Sequence, residues 1–172
     1  MAEQQMDDRD WGVLLRAIRQ GNCVLLLGSE VADAEGDSAD SRLAQELAME
    51  LARPPLDARN LAGVAQQYVA EFDRDYLETE VDRFYRQMAS QSSLRSPIQS
   101  LAELPFPMVI TSRHDRLLEE ALADAGRAPL VEHYHFRGGG KDYVDEGSTK
   151  NPLLYYLHGH LDDISSLVLT DD

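Results

Sequence analysis

The sequence predicts an α/β fold with a doubly wound, mainly parallel, Rossmann-like sheet and an inserted helical layer. Short apolar runs alternate with amphipathic segments of helical periodicity, which is the pattern of strand–helix units. The apolar runs are continuous, as in strands that helices cover on both faces. The length of 172 residues and the hydrophobic content of 43% suit one domain, which we assign to residues 1–172.

The first half of the chain predicts one strand among several helices. Apolar residues recur at helical spacing from Trp11 to Ile18, and the run Cys23–Leu27 predicts a strand buried on both faces. A second helix is predicted from the spacing of Leu43, Leu47 and Leu51. Residues 57–92 predict two further amphipathic helices with no strand between them, so we expect a helical insertion there.

The second half predicts the rest of the sheet. Its strands are expected at Met108–Thr111, 130–136, Leu153–Leu157 and Ser165–Leu169, and a helix through Leu117 and Leu122 follows the first of them. The sequence ends after the last predicted strand without a further helix. We therefore expect the front portion of a longer domain, truncated at its carboxyl end.

Charge and composition exclude several classes of protein. The 16 basic and 31 acidic residues give a formal net charge of −15, which opposes direct binding to nucleic acid. The acidic start is not a secretory signal, and no apolar run approaches the ~20 residues of a membrane span. The single cysteine, Cys23, permits no internal disulfide. We expect a cytoplasmic protein that does not bind membranes.

The residues that could bind a ligand or take part in catalysis lie at three strand ends, because open parallel sheets bind ligands beyond the carboxyl ends of their strands. They are Gly28-Ser29, the segment Thr111-Ser112-Arg113-His114-Asp115, and the segment that begins His158-Gly159. Glycine lets a backbone approach a phosphate, and a strand-end histidine can act as a general base. Each also has a structural interpretation: a tight turn, a helix cap at Asp115, or a hydrogen-bonded histidine. The acidic residues Asp33, Glu35, Asp37 and Asp40 are expected to repel a pyrophosphate.

A metal site is not expected. His133 and His135 would share one face of a strand, and His158 and His160 follow later in the chain. Strand alternation explains the first pair, and no thiol or carboxylate in the sequence completes a set of ligands.

Taken together and in order, LLLGS, VITSRHDRLLEEAL and YLHGHLDDISSLVLT resemble the sirtuin-like NAD hydrolase domains of bacterial anti-phage defence proteins. The resemblance extends from about Leu14 to the end. It implies that Gly28, Ser29, Thr111, Ser112 and Gly159 contact NAD. It also implies a catalytic His158, with Arg113 and Asp115 beside it at the nicotinamide end.

By the same resemblance, the domain is an NAD-cleaving effector that forms homo-oligomers and is triggered by a sensor domain or partner protein. Two residues depart from the family pattern: Arg113 replaces an asparagine, and Glu30 replaces a glycine. A fixed cation cannot orient a water as a neutral amide can. A catalytically degenerate module that binds NAD or ADP-ribose, or only serves as an oligomerisation scaffold, therefore remains an alternative. A sirtuin deacylase is a third, weaker one.

Overall fold

The computed structural model describes residues 6–29, 31, 38–53, 55–89, 96–135 and 145–170. Four strands and six α-helices lie in these ranges. In chain order they are α1 (Asp8–Arg19), β1 (Val24–Leu27), α2 (Ala39–Glu50), α3 (Leu61–Glu71), α4 (Arg74–Ala89), α5 (Ser96–Ala102), β2 (Met108–Thr111), α6 (Leu117–Asp124), β3 (Leu130–His133) and β4 (Leu153–Tyr156). The predicted α/β class is confirmed.

The four strands form one parallel sheet in the order β1-β2-β4-β3. The last residues of the four strands are in register. Leu27 pairs with Thr111, and Tyr156 pairs with Thr111 on one side and with His133 on the other. The carboxyl ends of all four strands therefore meet at one edge. This all-parallel arrangement agrees with the Rossmann-like fold that the strand–helix alternation predicts.

One face of the sheet packs on α5 and α6. The buried strand residues on this face are Leu27, Val109, Leu154 and Tyr156. Ile98 of α5 and Leu118 and Leu122 of α6 fill the space above them. Burial of these side chains from water stabilises the sheet and fixes where the strand ends lie.

A second core lies within the helices α2, α3 and α4. Its largest fully buried members are Leu43, Tyr68, Leu77 and Val81, and Leu167 from the end of the chain packs among them. Helices α3 and α4 occupy most of the range 57–92. That this range is an insertion in a single domain stays a prediction.

The structure corrects the predictions for two strands. β1 is buried on one face only, because Val24 and Leu26 are 55% and 70% exposed on the other. The segment Ser165–Leu169 is not a fifth strand: a 3-10 helix spans Ile164–Ser166, and Leu167 then enters the helical core instead of pairing with the sheet. An apolar run fits either environment, and periodicity alone does not separate them.

The strand predicted over 130–136 is shorter, ending at His133, and residue 136 lies outside the described ranges. The first helix agrees with its prediction, and Asp7 caps its amino terminus. Among the described residues, none of the helices has the length and apolar character that a membrane span requires.

Candidate active site

Side-chain hydrogen bonds join the ends of β1 and β2. The Thr111 hydroxyl donates to the Leu27 carbonyl over 3.1 Å, and the Ser29 amide donates to Ser112 Oγ, also over 3.1 Å. Thr111 is fully buried, and its hydroxyl oxygen also accepts from the Arg113 amide over 3.1 Å. Gly28 is exposed at the turn. The predicted strand-end residues thus come together, with Ser29 facing outward into a cavity.

This cavity has a volume of about 380 Å³ and opens at the carboxyl edge of the sheet. Its volume falls in the range of small-molecule sites, ~300–1,000 Å³. The lining combines the strand ends, the start of α2, the turn before α3 and the last described residues. The lining residues are Ser29, Asp40, Ser41, Arg59, Asn60, Leu61, Ala62, His114, His158, Val168, Leu169 and Thr170.

Two histidines and an aspartate converge in this cavity. The His114 and His158 ring centroids are 5.8 Å apart. His114 Nδ1 lies 3.2 Å from Asp40 Oδ1, and the Tyr85 hydroxyl donates to the same oxygen over 2.8 Å. Asp40 therefore orients His114, which packs against His158.

The pKa values in this group follow from burial and from neighbouring charges. Burial lowers the pKa of His158, and the nearby His114 lowers it further, while Asp40 partly opposes both effects. Burial raises the pKa of Asp40, but hydrogen bonds from His114 and Tyr85 outweigh it, so the net shift is downward. His158 is therefore neutral and Asp40 ionised near pH 7, which are the forms that a general base and an orienting carboxylate require.

Arg113 does not line this cavity. It is 2% exposed, and its guanidinium donates two hydrogen bonds to one oxygen of Asp115, Oδ2, from Nε over 3.0 Å and from Nη2. Nη1 donates to the Val31 carbonyl over 3.0 Å. Asp115 Oδ1 also accepts from the Leu117 amide at the start of α6. Arg113 and Asp115, both predicted as catalytic, thus fix the β2–α6 turn to the chain after β1. Glu30, the other departure, lies outside the described residues.

A second cavity, of about 440 Å³, lies beside this turn. It is lined by Asp115, Arg116, Asp162 and residues of α4 that include Tyr85. It contains neither Ser29 nor His158, so the predicted chemistry belongs to the smaller cavity.

The segment after β4 folds back on itself. Gly159 has a φ of +84°, and a Cβ there would overlap the Ser166 carbonyl. His160 Nδ1 accepts from the Asp162 amide over 3.2 Å, so its Nε2 carries the proton that Glu119 accepts over 2.9 Å. Gly159 therefore has a packing role, and this fold-back presents His158 to the cavity.

The chain is similar in sequence to known proteins. Residues 107–172 match the family model described as SIR2-like domain. This segment is similar to SIR2-like domains, and we refer to residues 107–172 as the SIR2-like portion. The chain is also similar to two proteins named NAD(+) hydrolase ThsA. That from Cytobacillus dafuensis is 26% identical over 159 residues, which cover 92% of this chain and 30% of the relative. That from Enterococcus faecium is 28% identical over 163 residues, which cover 91% and 31%.

The chain thus spans about a third of the length of these two relatives. The SIR2-like portion begins one residue before β2 and includes Thr111, Ser112 and His158. Ser29 and the lining residues of α2 and α3 lie outside it and complete the cavity from the other side. The resemblance noted from the three sequence motifs is confirmed.

The SIR2-like portion also holds a cluster that sequence reasoning missed. One ring nitrogen from each of His133 and His135 and a carboxylate oxygen of Asp163 all lie within 4.8 Å of one another. The expectation that no carboxylate would complete these histidines is wrong, because the turn after His158-Gly159 brings Asp163 to the end of β3. Asp163 lies 28 residues beyond His135, and no spacing rule connects them.

Two cavity residues were also missed or misjudged. His114 was seen only as part of a strand-end segment, and Asp40 was grouped with loop acids expected to repel phosphate. In the structure His114 and Tyr85 form hydrogen bonds to the Asp40 carboxylate. Its position in the first turn of α2 was the available signal, because a residue there can face a neighbouring strand end.

Proposed function

We propose that this chain binds NAD in the 380 Å³ cavity and cleaves its nicotinamide–ribose bond, as part of a larger effector protein. The convergence of Ser29, His114 and His158 on one cavity, with Arg113 paired elsewhere, carries the proposal. The similarity to two proteins named NAD(+) hydrolase ThsA supports it. Following the resemblance, we include in the proposal a role in anti-phage defence, homo-oligomers and activation by a sensor.

The chemistry requires little of the protein beyond positioning and a base. The nicotinamide of NAD is cationic, so cleavage of the bond from ribose C1′ sends the electron pair to the ring nitrogen and neutralises it. The ribose then carries positive charge, and the Asp40 carboxylate is placed to stabilise it. Water adds to C1′ and gives its proton to neutral His158, which yields nicotinamide and ADP-ribose.

Arg113 bears on whether this reaction can occur. A guanidinium in the cavity would repel the cationic ring, but the two hydrogen bonds to Asp115 Oδ2 keep the Arg113 guanidinium in the turn. The family's neutral amide is nevertheless absent at this position. Orientation of the attacking water would then fall to other polar groups of the cavity, such as Ser29 and Asn60.

The test is NAD turnover by the full-length protein with its sensor partner, with nicotinamide and ADP-ribose separated by chromatography. We expect turnover that falls at least ~100-fold in His158→Ala, the size of a lost general base. Leu157→Ala is the matched control: Leu157 is the exposed neighbour, outside the cavity lining, so turnover should persist. Calorimetric titration with NAD and ADP-ribose separates the alternatives. Binding without turnover would indicate the degenerate module, and no binding at all would refute both.

A further inference from the structure

The cluster His133, His135 and Asp163 lies at the end of β3, on the far side of β4 from β2. His133 Nε2 is 3.5 Å from Asp163 Oδ2, and His135 Nδ1 is 3.6 Å from the same oxygen. The two imidazole rings are 4.1 Å apart between centroids. None of these three residues lines the cavity that contains His158. The cluster is therefore a separate arrangement.

The distances in the cluster suit metal ligands better than hydrogen-bonded partners. A charge-assisted hydrogen bond from nitrogen to a carboxylate spans ~2.7–2.9 Å, well below the separations seen here. Two ligands that share a tetrahedral zinc ion, each bound at ~2.0–2.1 Å, lie about 3.3–3.4 Å from each other. His133 Nε2 is buried and has no hydrogen-bond partner among the described residues, which is costly unless another species satisfies it.

The surroundings hold the carboxylate in the orientation that a ligand needs. Ser165 Oγ donates to Asp163 Oδ1 over 2.7 Å, which leaves Oδ2 directed at the two histidines. Hydrogen bonds that fix the second oxygen of a ligating carboxylate are typical support in metal sites. His160, the nearest other histidine, is committed to Glu119 and the Asp162 amide, so it is not available as a ligand.

We propose that His133, His135 and Asp163 bind a divalent transition-metal ion, with zinc as the physiological ion and water completing its coordination. Two imidazoles and one carboxylate favour first-row transition metals over magnesium or calcium, which prefer oxygen ligands. Such an ion links the end of β3 to the turn after His158-Gly159. This site does not depend on the proposed NAD activity.

Binding is tested on the untagged chain by calorimetric titration with Zn²⁺ and by the visible absorption of added Co²⁺. We expect saturation at one Zn²⁺ per chain and a rise in melting temperature of about 5 °C or more at a hundredfold excess over Kd. Mg²⁺ should produce neither effect. His135→Ala and Asp163→Asn should each weaken Zn²⁺ binding at least ~10-fold.

Asp162→Asn is the matched control, because Asp162 is the neighbouring carboxylate, 67% exposed and paired with Arg116. Its affinity for Zn²⁺ should stay within about twofold of the native value. His135 lies beyond the last residue of β3, so its removal spares the strand even if Asp163→Asn disturbs the turn. Absence of saturable Zn²⁺ binding, or equal binding by His135→Ala, would overturn the site. Because both outcomes are read from metal binding, they are independent of NAD turnover.

Discussion

Arg113 and Asp115 form a buried ion pair in the turn before α6, in which Nε and Nη2 of Arg113 both donate to Asp115 Oδ2. Their side chains are 2% and 5% exposed. Asp115 also accepts from the Leu117 amide, and Arg113 also reaches the Val31 carbonyl. Arg113, which replaces the family's asparagine, and Asp115 therefore act as one structural unit, which fixes the end of β2 to the chain after β1.

Breaking this ion pair is expected to destabilise the protein strongly. Asp115→Ala removes the carboxylate that accepts two hydrogen bonds from the buried Arg113 guanidinium, so the free energy of unfolding should fall by about 3–5 kcal/mol. Denaturant unfolding measures this change. The exposed pair of Arg86 with Asp82 provides the control, because Asp82→Ala should cost about 1 kcal/mol or less.

A double-mutant cycle separates the ion pair from the other contacts of the turn. Arg113→Met combined with Asp115→Ala removes both charges, so it should recover part of the stability that Asp115→Ala loses. If the losses of the two single variants simply add, the ion pair is not the interaction that stabilises the turn.

The second prediction concerns the titration of His158. Burial and the nearby His114 lower its pKa, so the midpoint should lie below the ordinary value of ~6.5. His114→Asn keeps a donor toward Asp40 but removes a titratable neighbour. The His158 midpoint should then move to higher pH, because one of the causes that lower it is gone.

The measurement is a histidine-selective NMR titration of both proteins, with His158→Ala used to assign the resonance. The acidic limb of NAD turnover should move in the same direction, since only neutral His158 accepts a proton. A midpoint unchanged in His114→Asn would mean that the two rings do not interact electrostatically.

The third prediction concerns Arg127, which links α6 to the chain around β2. Its guanidinium donates to the carbonyls of Ala102, Leu104, Phe106 and Thr149. Arg127→Met leaves these carbonyls without their donor and should lower the free energy of unfolding by about 2–4 kcal/mol. Arg127→Lys should recover only part of this, because an ammonium lacks the planar fork. If the native protein and Arg127→Met unfold at the same denaturant concentration, Arg127 does not stabilise the fold through these carbonyls.

Sequence periodicity correctly predicted the elements whose apolar pattern fits only one type of secondary structure. The parallel strands Met108–Thr111 and Leu153–Tyr156 and the helix around Leu118 follow directly from continuous and helical apolar patterns. It failed at Ser165–Leu169, because an apolar run that enters a helical core looks like a strand. The exposed face of β1 could not be predicted either, because periodicity reports the character of the side chains and not whether another layer covers that face of the strand.

The candidate site was predictable where its residues lie at strand ends. His158 and Ser29 both face the predicted edge. The contributions of Asp40 from α2 and of Asp163 from a later turn depend on how distant segments pack, and no local pattern encodes that. The pairing of Arg113 with Asp115 depends on how the two side chains pack in the turn, and no sequence pattern specifies that.

Replacing Gly159 by alanine is expected to destabilise the protein in two ways, through backbone strain and through steric overlap. Its φ of +84° strains any other residue, and a Cβ would also overlap the Ser166 carbonyl. Gly126 has a similar φ of +73° but no atom within 4 Å of a built Cβ, so Gly126→Ala should cost only about 1 kcal/mol. Gly159→Ala should cost more than twice as much, because the backbone of the turn must also move. Thermal and denaturant unfolding of both variants measure the difference. Equal costs would mean that the turn after β4 yields easily, and that Gly159 is needed only for its conformation.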